Sequence, residues 1–165
     1  MNYEILSKDF TNELLERFLR YTRQWTTSDS TRADQGIVPS TERQRDFAQL
    51  LAQELKALGV TDVSISDHCY LCARLPATPG MGQVPAVGFL AHMDTSEEVS
   101  GENVQPQVIR SYDGAPIQLK EGVVLNPDVD TKLRAVVGDT IITSDGTTLL
   151  GSDDKAGVAI IMTGL

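Results

Sequence analysis

Apolar residues recur first at helical spacing. Between Lys8 and about Gln24, Leu14, Leu15, Phe18, Leu19 and Tyr21 stand among Glu, Arg and Asn so that they share one face of a helix. The polar stretch from Thr26 to Gly36 holds too little apolar surface to order itself by burial, and is expected either to be mobile or to border a site. A second helix opens at Pro39-Ser40-Thr41-Glu42, where Thr41 and Gln44 have capping-box spacing. It carries Phe47, Leu50, Leu51, Leu55 and Leu58 on one face and closes at Gly59.

Beyond Gly59 the period changes. Val63 and Ile65 alternate with Ser and Asp, Tyr70 to Leu75 continues in the same style, and the two predict a hairpin that ends before Pro79, Gly80 and Gly82. Val84 to Ala91 has almost no polar alternation, which predicts a strand buried on both faces at the centre of a sheet. The stretch from Ser96 to Gly138 is polar and broken by Pro106, Pro116 and Pro127. It reads as an excursion with short β pieces at Val108-Ile109 and Ile117-Gln118-Leu119, not as a second domain. Thr140 to Ser144 and Thr147 to Leu150 flank Asp145-Gly146, the signal of a two-residue type I′ hairpin. Val158, Ala159, Ile160, Ile161 and Met162 then surround a last helix with apolar groups, a helix that expects cover on all sides. These elements predict an α/β fold in which a mixed β-sheet is flanked by helices.

Length and charge narrow the function classes. At 165 residues and 41% apolar content the chain can form one domain with a real core. Its net charge of -9 argues against a nucleic-acid partner or an anionic membrane surface, since both draw on clustered Lys and Arg. No stretch has a signal-peptide layout and no apolar run approaches bilayer length, so a cytoplasmic location is expected. Cys69 and Cys72 match C-x-x-C, with His68 before them. Side chains three apart on a strand face opposite ways, so the thiols are expected to be structural and not to share a zinc or a disulfide, with His68 at a turn or strand end.

The chemistry concentrates at two strand ends, where α/β folds place their catalytic loops. The apolar run to Ala91 ends in His92-Met93-Asp94-Thr95-Ser96, and Leu149-Leu150-Gly151-Ser152 leads to Asp153-Asp154-Lys155-Ala156-Gly157. Imidazole and carboxylate are ordinary zinc ligands, and the two oxygens of Asp153 could bridge two metals. Asp94, two residues from His92, could accept the proton of the other ring nitrogen and fix the ligating tautomer. A structural reading stands beside this one. A lone histidine at a strand end is commonly just hydrogen-bonded, and paired acids before a helix commonly cap it.

The segments Ala91 to Ser96 and Thr147 to Gly157 resemble the paired metal motifs of the two-zinc aminopeptidase and carboxypeptidase family. Ile37-Val38-Pro39-Ser40-Thr41 and Ser100-Gly101-Glu102-Asn103-Val104-Gln105-Pro106 extend the resemblance, in order and spacing, to its tripeptide aminopeptidases. The resemblance implies a cytoplasmic hydrolase that releases the N-terminal residue of tripeptides with two zinc ions. His92 would bind one zinc, Asp153 would bridge both, and Asp94 would orient His92. It also implies a cis Asp153-Asp154 peptide.

Members of that family are far longer. The resemblance therefore makes residues 1–165 the N-terminal part of the zinc-peptidase catalytic domain, without the general-base Glu, the remaining zinc ligands, the lid used for dimer formation or the C-terminal catalytic segment. On that reading the intact protein would be a homodimer, while this chain alone would bind zinc weakly or not at all, cleave no tripeptides, and self-associate through its last helix. A related zinc deacylase or carboxypeptidase, and a non-catalytic α/β module, remain as alternatives.

Overall fold

The structure, a computed structural model, describes residues 8–165. Among these, helix α1 spans Lys8–Thr22, a short α2 spans Ser30–Asp34, α3 spans Glu42–Ala57 and α4 spans Ser152–Thr163. The strands are β1 (Asp62–Ile65), β2 (Leu71–Arg74), β3 (Gln107–Ile109), β4 (Ile117–Gln118), β5 (Val124–Leu125) and β6 (Ile141–Thr143).

The core follows from the helical periodicities. Phe18 and Tyr21 of α1, Phe47, Leu51 and Leu55 of α3, and Val158, Ala159 and Met162 of α4 form one buried cluster, joined by Val60. Tyr21 meets Phe47 edge-on, with ring centroids 5.4 Å apart, a favoured aromatic geometry. Its hydroxyl donates to Glu54 at 2.5 Å, so the polar end of a buried ring is satisfied while α1 is tied to α3. Arg17 of α1 donates to Thr163 at 2.9 Å and links the helix to the end of α4.

Helix α3 ends as predicted. Gly59 takes a left-handed φ of 91°, and the Val60 amide returns to the Leu55 carbonyl at 3.0 Å. Its start differs from the expected capping box. Thr41 is at the N-cap, but its hydroxyl donates to the Thr27 carbonyl at 3.2 Å and the Gln44 side chain turns to Ser28 and Ser40. Buried groups of the preceding loop need partners more than the helix end does. That loop is correspondingly more ordered than its composition suggests: Thr26 and Thr27 are buried and α2 forms within it.

β1 and β2 pair as the expected antiparallel hairpin, from Asp62↔Arg74 to Ile65↔Leu71. Cys69 lies in the turn, buried, and Cys72 lies on β2, exposed; both are free thiols. His68 lies in the same turn.

Three expectations are corrected. The apolar run from Val84 to Ala91 forms no strand, and Phe89 and Leu90 are 78% and 92% exposed. Pro85 offers no amide to a ladder, and no described strand lies alongside to satisfy the backbone, so the apolar pattern alone does not make a sheet centre. The Asp145-Gly146 hairpin is also absent. β6 pairs instead with β3, Ile142 opposite Val108, because the Asp145 carboxylate folds back onto the amide and hydroxyl of Thr147 and makes its own turn. Finally, the strands are distributed over three separate two-stranded antiparallel ladders, β1-β2, β3-β6 and β4-β5, instead of gathering in one sheet. The α/β make-up holds. Among the described residues no helix is long and apolar enough to cross a membrane.

Candidate functional site

Backbone pairing builds the site. Thr95 donates to the Thr26 carbonyl at 3.2 Å and Ser28 to the Thr95 carbonyl at 2.9 Å, so residues 92–96 lie beside the loop after α1. Ala91 and Met93 pack on the core, and the alternation of an extended chain turns His92 and Asp94 away from it. The segment before α4 is drawn in by the Leu149 amide on the Ser100 carbonyl at 2.9 Å. Gly151 makes the approach feasible: its φ is 74°, and a Cβ there would sit 3.1 Å from the Thr95 methyl.

The result places His92 between two acids. Its Nε2 lies 2.9 Å from Asp153 Oδ1, and its Nδ1 lies 3.1 Å from Asp94 Oδ1 and 3.0 Å from the Asp94 carbonyl. Both ring nitrogens therefore face oxygens that accept hydrogen bonds, while a neutral imidazole carries one N–H. With Asp94 taking that proton, the Nε2 lone pair points at a carboxylate, an arrangement relieved by a second ring proton or by a cation shared with Asp153. Burial is the largest single influence on the imidazole and lowers its pKa, but the Asp153 hydrogen bond and the charge and hydrogen bonds of Asp94 together raise it. The side chains remain open, His92 at 52% and Asp153 at 92% exposure.

The two acids at the start of α4, both at non-helical φ/ψ, divide their work. Asp154 Oδ1 accepts the Gly157 amide at 3.0 Å and so caps the helix, while Asp153 reaches His92. A Cβ at Gly157 would collide with the Asp154 carboxylate and push it off the Gly157 amide. The Asp153-Asp154 peptide is cis, as the resemblance implies. Lys155, the next residue, is buried; its ammonium donates to the Gln24 carbonyl, and burial pushes its pKa down to about 8.

Beside this cluster lies a cleft of about 270 Å³ lined by His92, Ser96, Leu149, Leu150, Gly151, Ser152 and Asp153. The donor types suit zinc, and two donors on one tetrahedral zinc, each about 2.0–2.1 Å from the ion, lie roughly 3.3 Å apart. The exposed Asp153 need retreat only a few tenths of an ångström to accept an ion. The number of donors falls short, since no three His, Cys, Asp or Glu side chains among the described residues are grouped to hold a metal.

His92, Asp94 and Asp153 thus come together, while His68 and the two thiols stay in the β1-β2 hairpin, apart from the site. Sequence reasoning missed Ser28, whose hydroxyl donates to Asp94 Oδ2 at 2.7 Å, and Gln44 behind it. The only signal was the polarity of the loop that carries Ser28.

No family model matches the chain. Individual proteins do. Peptidase T of Geobacillus kaustophilus is 50% identical over 155 residues, 93% of this chain and 37% of that protein. Peptidase T of Bacillus velezensis is 47% identical over 156 residues, with coverage of 93% and 37%. Peptidase T of Shewanella pealeana is 49% identical over 153 residues, with coverage of 93% and 36%. The chain spans a little over a third of the length of these curated relatives. With such identity sustained along nearly all of its residues, the chain is similar to peptidase T over a little more than a third of that protein's length.

Proposed function

We propose that the chain is part of a zinc-dependent aminopeptidase that releases the N-terminal residue of tripeptides in the cytoplasm, with two zinc ions in the intact protein. The observation that carries this reading is the imidazole of His92 set between two carboxylates at hydrogen-bond distance, in an open cleft. A carboxylate on one ring nitrogen is the common companion of a metal-ligating histidine. In this reading Asp94 would hold the Nδ1–H tautomer of His92, and His92 and Asp153 would be the residues that hold the metal. Zinc bound there would supply Lewis acidity toward a scissile carbonyl and toward water. Ser96 and Ser152, both lining the cleft, would meet the peptide backbone.

A catalytic zinc normally has three protein ligands, and here two donors converge. The 165-residue chain is therefore expected to bind zinc weakly and to leave tripeptides intact. Zinc titration followed by calorimetry, on the wild type and on His92→Ala and Asp153→Asn, tests the reading. Weak uptake that disappears in both variants supports it. Equal uptake in all three proteins would refute it, while vigorous tripeptide cleavage by the purified chain would overturn the expectation that this chain alone is inactive.

A further inference from the structure

The carboxylate of Asp94 is held from two sides. Oδ1 faces the His92 ring at 3.1 Å, and Oδ2 receives the Ser28 hydroxyl at 2.7 Å. Ser28 Oγ in turn accepts from Gln44 Nε2 at 3.1 Å, which leaves the hydroxyl proton for Asp94. Gln44 is itself fixed: it is 8% exposed on α3, and the same Nε2 donates to Ser40 Oγ at 3.2 Å. The Asp29 amide also donates to that Ser40 oxygen, at 3.1 Å. Ser28 cannot drift from Asp94, because its own amide is bonded to the carbonyl of Thr95, the residue after Asp94.

We infer that Ser28, held by Gln44, is a positioning residue that locks the Asp94 carboxylate so that the His92 ring keeps its proton on Nδ1 and presents a bare Nε2 toward Asp153. Its value to the protein rests on the proposed role of His92 as a metal donor. The geometry explains the need. His92 and Asp94 are each about half exposed, so water competes for both, and a carboxylate anchored at one oxygen only could rotate away from the ring. A second hydrogen bond, reaching back to a buried amide on α3, removes that freedom.

The test uses the full 165-residue chain, labelled with ¹⁵N and kept alkaline enough that the imidazole is neutral. Long-range ¹H–¹⁵N correlation of the ring then reports which nitrogen bears the proton. The wild type is expected to show the Nδ1–H form, Ser28→Ala a mixture in which that form has lost at least half its population, and Ser28→Thr, which keeps a hydroxyl, recovery. Gln44→Met leaves Ser28 in place but frees it, and is expected to move the population in the same direction by less; it serves if Ser28→Ala fails to fold. Zinc affinity of Ser28→Ala should fall by about tenfold, the lower end for partners of a ligating histidine. An unchanged tautomer in both Ser28→Ala and Gln44→Met overturns the inference. If zinc leaves the wild-type His92 resonances unmoved, the metal reading fails, and the metal-free tautomer comparison still decides the role of Ser28.

Discussion

Lys155 offers the sharpest quantitative test of the packing. It stands on α4 with 2% of its surface exposed, its ammonium against the Gln24 carbonyl and 5.8 Å from the Phe47 ring centre. Burial lowers its pKa from 10.5 to about 8. A gap of about two and a half pH units, at about 1.36 kcal/mol per unit, means that the buried ammonium costs the fold roughly 3 kcal/mol relative to the unfolded chain. The sign follows from proton counting. Below about pH 8 both states are protonated and the cost is fully present; between about 8 and 10.5 the unfolded state holds more protons, so stability rises with pH. Lys155→Met preserves most of the packing volume and removes the charge, while forfeiting the hydrogen bond to Gln24, roughly 1–2 kcal/mol. The variant is therefore expected to equal or exceed the wild type at neutral pH by about 0–2 kcal/mol.

Urea unfolding followed by circular dichroism, from about pH 7.5 to about 9.5, supplies the measurement. Tyr21 and Cys69 also titrate above their ordinary values because both are buried, which lowers stability at higher pH, but they do so in both proteins and cancel in the difference. The wild type should gain on the variant by roughly 2 kcal/mol across that range. Parallel stability curves for the two proteins would refute the placement of Lys155 as a buried, desolvated cation.

Phe47→Ala empties the centre of the core where Phe47 is 1% exposed, and should cost about 3–5 kcal/mol, a drop of roughly 10 °C in Tm by calorimetry. The Asp145 carboxyl is held down at about 2 from 3.8, by the Thr147 hydroxyl first and then Lys120, so its contribution is complete above about pH 4 and is lost as pH falls toward 2. Acid unfolding of Asp145→Asn should lack that component; identical acid titrations of the two proteins would contradict it. The exposed apolar side chains Val87, Phe89 and Leu90, with Ile160 on α4, should make the chain self-associate, and light scattering should show a mass that falls toward the monomer in Phe89→Asp; a clean wild-type monomer would count against this.

What the sequence by itself determined is what short-range chemistry can decide. The apolar faces of α1 and α3, the Gly59 stop and the β1-β2 hairpin were all readable, since each depends on residues within a few positions of one another. His92, Asp94 and Asp153 stood out by residue type and spacing, and the fold does bring them within hydrogen-bond distance, but the strands expected to end at them are not formed.

The remainder rested on contacts between distant segments. A continuous apolar run such as Val84 to Ala91 becomes a strand only if another strand takes its amides and carbonyls, and apart from Pro85 nothing within the run says whether one does. Asp145-Gly146 spells a hairpin locally, yet β6 pairs with β3 more than thirty residues earlier, and the Asp145 carboxylate settles on Thr147 and Lys120. Ser28 and Gln44 became parts of the site only when the loop after α1 was laid beside Thr95, joining side chains 66 and 16 positions apart through one hydroxyl. Periodicity and capping are written into neighbouring residues, whereas pairing partners and hydrogen-bond chains come into being only when the chain closes on itself.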